Sequence, residues 1–374
     1  MSWAISASAF FIRSAYLPIL GAMKPELNLN FFEELLGAVG PSGFEDEAAR
    51  VWVREAEAFA DEVWRDAHGN SYARIRPGGS PRIMLAGHID EIGLIVTHVS
   101  DEGFVYVEPL GGWDPQVLVG QRVRFLGRKG HVLGVVGRKP IHALEPDERG
   151  KAVKLKDIWI DVGAADKEEA LEVLEVGSVG VIDQPLRYLM GRRVVSRAID
   201  NRIGAFVALE ALRRAQELGG EAEVVAVATV QEEIGAWGAR TAAFRLEPDT
   251  ALVVDVTHCS RQPGVDPKQH GEVALGKGPS LAVGPYAHPG VLARLRALAA
   301  EHQIPYVLEA HGRWSGTDAD EIAVTREGVP AAVVSVPNRY MHSPSEMIDL
   351  GDVEHTVDLM ARYAAAPLTE LVRK

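Results

Sequence analysis

Histidine and acidic residues recur at the points where apolar, strand-like runs of this sequence end. IMLAG is followed by His88, VVAVATV by Gln231-Glu232-Glu233, ALVV by Asp255, and AVVSVPNRYM by His342. Asp200 lies in the loop that opens a helix, in AIDNRIGAF. Ligands of open α/β sheets bind outside the carboxyl ends of the strands. We therefore expect these five segments to bring their side chains together at one edge of one sheet.

Two histidines and three carboxylates suit a pair of divalent metal ions. Imidazole and carboxylate ligands favour zinc, cobalt or manganese over calcium. A carboxylate can bridge two ions about 3.5–4 Å apart, and such a pair activates a water and polarises a carbonyl. A carboxylate that is not a ligand must then take the proton of the water. Glu232 and Glu233 are neighbours on an irregular loop, so one can bind metal while the other faces the water.

Asp90 stands two residues after His88, just past the same strand-like run. A histidine that binds metal usually donates its other ring N–H to a carboxylate or a carbonyl, and this contact fixes the tautomer of the ring. We therefore expect Asp90 to orient His88.

Each of these features, taken alone, has an ordinary structural explanation. A Glu-Glu pair usually lies on the solvated surface, an aspartate after an apolar strand is often a helix N-cap, and His342 could be a core or a surface histidine. The convergence of the segments is what indicates a metallohydrolase. The remaining histidines are predicted to be structural, and for His258 and His311 a role at the site stays open.

The hydrophobic pattern of the chain changes twice. Residues 28–60 are predicted to form helices, and short β-like runs follow as far as His88. Residues from about 92 to 188 are rich in Val and Gly, alternate over short runs and have frequent turn residues, which is typical of an all-β barrel or sandwich. From Ser196 onward, strands alternate with helices, which indicates a mostly parallel sheet covered on both faces. We predict an α/β catalytic domain of residues 23–91 and 191–374, and an inserted all-β domain of residues 92–190.

Charge and cysteine content limit the partners and the compartment. The chain carries 39 basic and 52 acidic residues, a net charge of −13, which argues against nucleic acid as a partner because backbone binding needs a basic face. Cys259 is the only cysteine, so no intrachain disulfide can form, and a reducing, cytoplasmic compartment is expected. The apolar residues 1–22 are interrupted by Arg13 and form a weak membrane helix. We interpret them as a leader or disordered extension before Met23, with a targeting segment as the alternative, and expect no membrane partner.

Eight motifs occur in order along the chain: AGHIDEIGLIV, WDPQVLVGQRV, SRAIDNRIGA, TVQEEIGAWGA, VVDVTH, GKGP, SGTDA and MHSPSEM. From Leu27 to Arg362 the sequence resembles the tetrahedral aminopeptidase and glutamyl aminopeptidase family of co-catalytic metallopeptidases, some of whose members have been labelled cellulases. The resemblance implies a phosphorylase/hydrolase-like mixed sheet flanked by helices, with an inserted barrel-like β domain for dimerisation. It also implies a homo-oligomer, either a dimer or a tetrahedral dodecamer.

The resemblance also implies roles for individual residues and a pair of divalent metal ions, with zinc first and cobalt or manganese as alternatives. His88 and Asp255 would hold one ion, and Glu233 and His342 would hold the other. Asp200 would bridge both ions and precede a cis peptide bond to Asn201. Glu232 would be the general base, and Asp90 would orient His88.

The function that these features favour is an aminopeptidase that removes N-terminal residues from short peptides. A two-metal deacylase, a glycoside hydrolase (endoglucanase) and a binding protein on a retained fold are the alternatives. A glycoside hydrolase needs two carboxylates and no metal, so chelation separates it from the others. Faster cleavage of an N-blocked substrate than of a free peptide would distinguish the deacylase from the aminopeptidase. Bound metal without turnover would indicate the binding protein. Asp320-Glu321 departs from the family pattern and makes an acidic P1 side chain less favourable.

Overall fold

The computed structural model describes residues 27–366, so the predicted leader at residues 1–22 lies outside the described residues. The helices are α1 Leu29–Gly37, α2 Asp46–Glu57, α3 Lys167–Val173, α4 Ile199–Leu218, α5 Trp237–Leu246, α6 Pro267–His270, α7 Pro289–Glu301, α8 Ala319–Ala323 and α9 Leu350–Ala365. Within residues 27–366, no helix is long and apolar enough to cross a membrane.

The strands form one large sheet, one small sheet and a closed barrel. In chain order they are β1 Glu62–Arg65, β2 Ser71–Ile75, β3 Arg82–His88, β4 Gly93–Val99, β5 Val105–Leu110, β6 Arg122–Gly127, β7 Gly130–Arg138, β8 Ile158–Asp161, β9 Val179–Ile182, β10 Arg187–Tyr188, β11 Arg193–Ser196, β12 Glu223–Thr229, β13 Thr250–His258, β14 Ser280–Val283, β15 Val307–Ala310, β16 Ala331–Asn338 and β17 Glu346–Asp349.

The large sheet has eight strands in the order β1-β2-β12-β3-β13-β16-β14-β15. Its centre, β12-β3-β13-β16, is parallel. Helices α1, α2, α4, α7 and α9 pack on one face, and α5 and α8 pack on the other. Strands buried on both faces need apolar residues at nearly every position, which accounts for the continuous apolar runs read from the sequence. The predicted class, a mixed sheet flanked by helices, is confirmed.

The barrel closes in the order β4-β5-β8-β7-β6-β9, between Gly93 and Ile182, and its neighbouring strands are antiparallel. Its interior is filled by side chains such as Leu94, Phe125 and Ile160. The chain therefore leaves the large sheet after β3 and returns to it after the barrel, as the predicted insertion requires. The domain boundaries at residues 92 and 190 stay a prediction.

A small antiparallel sheet, β10-β11-β17, connects two parts of the chain that are far apart in sequence. Strand β11 leads directly into α4, and β17 follows the turn after β16. Ser196 of β11 pairs with Glu346 of β17. This sheet therefore holds the start of α4 beside the turn that contains His342.

Helix α4 lies unusually close to β3. A Cβ atom built on Gly87 would lie 2.2 Å from the backbone carbon of Gly204, a distance that no side chain can occupy. Gly87 thus permits the contact between α4 and the end of β3, and a Cβ atom on Gly204 would in turn lie 2.6 Å from the carbonyl oxygen of Val254 in β13.

Candidate active site

The predicted site residues lie at the carboxyl ends of the four central parallel strands. His88 is the last residue of β3, Glu232 and Glu233 follow β12, and His342 follows β16. The run ALVV had suggested that Asp255 follows its strand. Strand β13 instead continues through Asp255 to His258, so Asp255 lies inside the strand. Parallel strands end at a common edge, which is why segments so distant in sequence converge.

Asp200 lies in the first turn of α4 and its carboxylate stands between the two histidines. Its Oδ1 is 3.4 Å from Nε2 of His88, and its Oδ2 is 3.4 Å from Nε2 of His342. Nε2 of His342 is also 3.3 Å from Oε2 of Glu233, and Nε2 of His88 is 3.6 Å from Oε2 of Glu232. One carboxylate therefore faces two imidazoles, each of which is approached by a second carboxylate.

Two sets of side chains each bring their ligand atoms within 4.8 Å of one another: His88, Glu232 and Asp255, and His88, Asp200 and Glu233. His88 belongs to both sets. Glu232 belongs to the first set, so its distance alone does not separate a metal ligand from a base. Among the described residues, neither set includes His258 or His311. His311 lies instead 3.5 Å from Glu309, and the His258 ring is 5.8 Å from that of His270.

Asp90 is fully buried and contacts both the histidine and the Glu-Glu loop. Its Oδ1 lies 3.3 Å from Nδ1 of His88 and accepts the backbone N–H of Glu232 at 3.1 Å. Its Oδ2 accepts the N–H of Glu233 at 3.2 Å and the hydroxyl of Ser42 at 2.5 Å. A proton on Nδ1 leaves the lone pair of Nε2 directed toward the cluster. Asp90 thus orients the ring and fixes the loop that carries both glutamates.

The turn at residues 41–45 supports this loop from outside, a contact that the sequence analysis missed. Beyond the Ser42 hydroxyl, the carboxylate of Glu45 accepts the N–H of Gln231 at 3.2 Å and of Gly43 at 2.6 Å. Gln231 has a positive φ of 61°, a strained conformation for a residue other than glycine. Only the turn-forming residues Pro41-Ser42-Gly43 were visible as a sequence signal, and a turn alone does not reveal what it contacts.

Two further buried acids contact the cluster and had no assigned role, although both belong to quoted motifs. Asp318, in SGTDA, accepts the hydroxyl of Thr229 through Oδ2. Glu346, in MHSPSEM, accepts backbone N–H groups of Asp200 and His342. The Asp200–Asn201 peptide bond is cis, as the resemblance implied.

The barrel also reaches the cluster, through the loop that precedes WDPQVLVGQRV. A Cβ atom on Gly111 would lie 3.3 Å from Glu233, and one on Gly112 would lie 3.2 Å from Nδ1 of His342. Trp113 follows, and its indole N–H donates to the carbonyl of Gly93 at 2.9 Å. Glycines are needed in this loop because its backbone packs directly on two site residues.

Three carboxylates of the cluster, those of Glu232, Glu233 and Asp255, resist ionisation. Burial raises the pKa of Glu232 to about 10; the nearby charge of His88 opposes the rise, while those of Asp255, Asp318 and Glu233 add to it. Burial likewise raises the pKa of Asp255 and of Glu233. Burial is the main cause of these shifts and neighbouring carboxylates add to it, and a cation bound beside these groups would favour their ionised forms.

The pKa values of the two histidines are raised as well, by the carboxylates beside them. Hydrogen bonds to Asp200 and Glu233 raise the pKa of His342 to about 11. Burial opposes the charged form of His88, yet Glu232, Asp200 and Asp90 still raise its pKa well above the usual value. Burial also favours neutral Asp200, but His342 and His88 hold its pKa below the usual range. Protons on the imidazoles therefore occupy positions where a divalent cation would bind.

The residues fit a metal centre in two further respects. Glu233 Oε1 and Asp318 Oδ1 are buried and have no hydrogen-bond partner among the described residues. An unpaired buried carboxylate oxygen is costly unless a cation or a donor compensates it. Imidazole nitrogens and carboxylate oxygens are the donors that zinc, cobalt and manganese accept.

Comparison with known proteins agrees with this geometry. The family described as M42 glutamyl aminopeptidase matches residues 69–359. A lysyl aminopeptidase of Pyrococcus furiosus is 37% identical over 344 residues, which cover 91% of this chain and 96% of that protein. A TET aminopeptidase from a marine sediment archaeon of the Thaumarchaeota superposes with a TM-score of 0.86 at 38% identity, covering 90% of this chain and 95% of that one.

A second similar structure is the TET1 peptidase of Pyrococcus horikoshii, which can assemble into a tetrahedron or a large octahedral shell. It has a TM-score of 0.79 and 30% identity, covering 90% of this chain and 98% of that one. The resemblance inferred from the motifs is confirmed. The chain belongs to the M42 glutamyl aminopeptidase family and is a peptide hydrolase.

Proposed function

We propose that the protein is a two-metal aminopeptidase that hydrolyses N-terminal residues from short peptides, with Glu232 as the general base. The observation that carries this proposal is the Asp200 carboxylate, whose two oxygens face His88 and His342 at 3.4 Å each. A carboxylate placed between two imidazoles has the geometry that a bridging ligand of a metal pair requires.

His88 and Asp255 would hold one ion, Glu233 and His342 the other, and Asp200 would contact both. When bound, the ions would activate a water molecule and polarise the carbonyl of the scissile peptide bond. Zinc is the first candidate, with cobalt and manganese as alternatives that suit the same ligands.

Glu232 takes the proton of the attacking water and passes it to the leaving amine. Its carboxylate lies 3.6 Å from Nε2 of His88, and Asp90 holds its backbone N–H. Cationic charge beside it would offset the negative charge of Asp255 and Glu233, and Glu232 would then ionise and act as a base. Asp90 keeps the Nε2 lone pair of His88 directed into the site.

The acidic pair Asp320-Glu321 bears on the P1 side chain. Asp320 accepts the N–H of Ser315 and Gly316, and it lines an open groove of about 1070 Å³ with Tyr286 and Trp314. Arg313 and Arg326 line the same groove, so its charges are mixed, and we propose that the added carboxylates make an acidic P1 residue only somewhat less favourable.

The P. horikoshii relative assembles into closed shells, and the barrel of this chain exposes apolar side chains, namely Leu133, Val135, Ile141 and Val176. We propose that this face forms a homo-oligomer, as a dimer or as a tetrahedral dodecamer. Cys259 is buried and unpaired, which suits the reducing cytoplasm.

The test is a panel of aminoacyl-p-nitroanilides, assayed with metal-loaded protein and after exhaustive chelation. We expect activity that disappears on chelation, returns with the metal, and is lost in Glu232→Ala. Glu272→Ala, which removes an exposed glutamate, is the matched control and should remain active.

Two other outcomes would replace the proposal. Faster cleavage of N-acetylated peptides than of free ones would establish a deacylase. Hydrolysis of a soluble cellulose that survives chelation would establish a glycoside hydrolase, since that reaction needs no metal.

A further inference from the structure

The carboxylate of Glu346 accepts two backbone N–H groups of site residues, as the carboxylate of Asp90 does elsewhere in the cluster. Only 2% of Glu346 is exposed. Its Oε2 accepts the backbone N–H of Asp200 at 2.8 Å, and its Oε1 accepts the backbone N–H of His342 at 2.9 Å. Asp200 and His342 lie 142 residues apart in the numbering of the chain, so one side chain joins two distant segments.

We propose that Glu346 is a positioning residue that fixes the backbones of Asp200 and His342, and thereby sets the affinity of the metal site formed by Glu233 and His342. The inference rests on the proposed two-metal function. It assigns no catalytic step to Glu346, because both of its oxygens are occupied by backbone donors.

Both backbone donors depend on this carboxylate because each lies in an irregular segment. Asp200 has φ −76° and ψ 109°, which are not helical although it belongs to α4. His342 has a φ of +57°, in the left-handed region that favours glycine. Buried N–H groups without an acceptor are costly, so the acceptor stabilises conformations that the local sequence does not favour.

The small sheet brings Glu346 to this position. Glu346 pairs with Ser196, the last residue of β11, four residues before Asp200. Met347 forms an isolated bridge with Arg339, three residues before His342. Glu346 is therefore held between the two segments by backbone pairing on both sides, and its carboxylate needs no further partner to stay in place.

Asp90 and Glu346 support different parts of the cluster. Asp90 holds His88 and the N–H groups of Glu232 and Glu233, and Glu346 makes no contact with His88 or Asp255 among its hydrogen bonds in the described chain. Loss of the Glu346 carboxylate should consequently weaken the ion on the His342 side more, since Asp200 and His342 both lose their support, whereas the His88–Asp255 side loses only the support of Asp200.

Glu346→Gln is the sharpest variant, since it keeps the size of the side chain but replaces one acceptor oxygen with an NH₂ donor. That donor would face the N–H of Asp200 or of His342. Glu346→Asp retains the charge but withdraws it by one methylene. Glu354→Gln, which removes a carboxylate paired with Arg192 on the surface of α9, is the matched control.

The experiment titrates the metal-free full-length chain with cobalt and zinc, followed by calorimetry and by cobalt absorption, with circular dichroism to check folding. Wild type and Glu354→Gln should bind two ions. Glu346→Gln should bind one ion ~10–100-fold more weakly than wild type, in the range typical of partners that orient metal ligands, and the other with a clearly smaller loss of affinity. High cobalt concentration should restore most of its kcat, and Glu346→Asp should give a smaller weakening of the same site.

The inference would be overturned if Glu346→Gln bound both ions with wild-type affinity, or if either variant weakened the binding of both ions equally. Either result would leave the proposed function standing. If Glu346→Gln does not fold, the comparison of the two sites in Glu346→Asp decides. A wild-type chain that binds fewer than two ions would overturn the inference together with the two-metal function.

Discussion

Glu232 and Glu233 are identical in type and adjacent in sequence, and the structure gives them different surroundings. The carboxylate of Glu233 faces His342, whereas that of Glu232 faces His88. The carboxylate of Asp90 accepts both of their backbone N–H groups, so one acid determines where both glutamates point. At the scale of the residue, the different surroundings of the two glutamates therefore depend on a third side chain.

We expect Asp90→Asn to lower kcat/KM by about 10–100-fold while the protein stays folded. The amide offers one acceptor oxygen and one donor, and the donor would oppose the N–H of a glutamate or of His88. Asp101→Asn, at a highly exposed carboxylate, should leave kcat/KM unchanged. Wild-type kinetics in Asp90→Asn would show that the Asp90 charge has no part in orienting the site.

At the scale of the element, the contact between β3 and α4 positions His88 relative to Asp200. Gly87→Ala would place a methyl group 2.2 Å from the backbone of Gly204, so α4 must move away from the strand. We expect a loss of at least about 3 kcal/mol in the free energy of unfolding, at the upper end for overpacked cores, and a fall in activity.

The matched control is Gly37→Ala, at a glycine near which a Cβ atom would meet nothing within 4 Å. Urea unfolding should give this variant a stability within about 1 kcal/mol of wild type. A Gly87→Ala variant as stable as the control would mean that α4 and β3 separate without cost.

The N-terminal turn of α9 contains an acid whose titration should affect stability. Asp352 accepts the N–H groups of Gly276 and Gly278 at 2.7 Å each, and burial raises its pKa to about 6. Because this pKa is raised above that of the unfolded chain, about 3.9, the contribution of Asp352 to stability is present at low pH and is lost as the pH rises to 6.

Replacing Asp352 with Asn removes this titration. The unfolding free energy of Asp352→Asn minus that of wild type should increase by up to about 3 kcal/mol from pH 4 to pH 7, because only the wild type loses the contribution of Asp352. Urea unfolding in the presence of chelator measures this difference. A difference between the two proteins that does not change with pH would show that Asp352 does not titrate in this range.

The sequence predicted the elements that position the site because their pattern is local. An apolar run followed by a polar residue, as at His88, indicates a buried strand and its end from neighbouring residues alone, although β13 continues past Asp255 to His258. Ser42 and Glu346 could not be recognised in this way. Ser42 contacts a side chain 48 residues away, and Glu346 accepts one backbone N–H from 146 residues away and another from His342, whose backbone conformation the side-chain pattern does not reveal. Contacts of that kind are created by the fold and leave no periodic signal in the sequence.

At the scale of the whole molecule, the barrel contacts the site through Gly111 and Gly112 and also exposes apolar side chains to solvent. Leu133 and Val135 lie on the same face of β7, and they are 56% and 50% exposed. Exposed apolar residues in alternation on one strand indicate a surface that another subunit covers. We expect Leu133→Asp to reduce the molar mass measured by light scattering, whereas Leu218→Asp, at an exposed leucine at the end of α4, should not.

Metal removal should affect the whole chain, because the carboxylates of the cluster come from segments that also hold the large sheet together. Each ion, at a free concentration about 1,000 times its dissociation constant, would add about 4 kcal/mol to the unfolding free energy. We therefore expect chelation to lower the thermal unfolding temperature, and zinc to restore it. Glu232→Gln should retain this metal-dependent shift, since a base is not a ligand, whereas Glu233→Gln should lose much of it. Equal losses in the two variants would show that Glu232 holds metal as well, and the proton of the water would then need another acceptor.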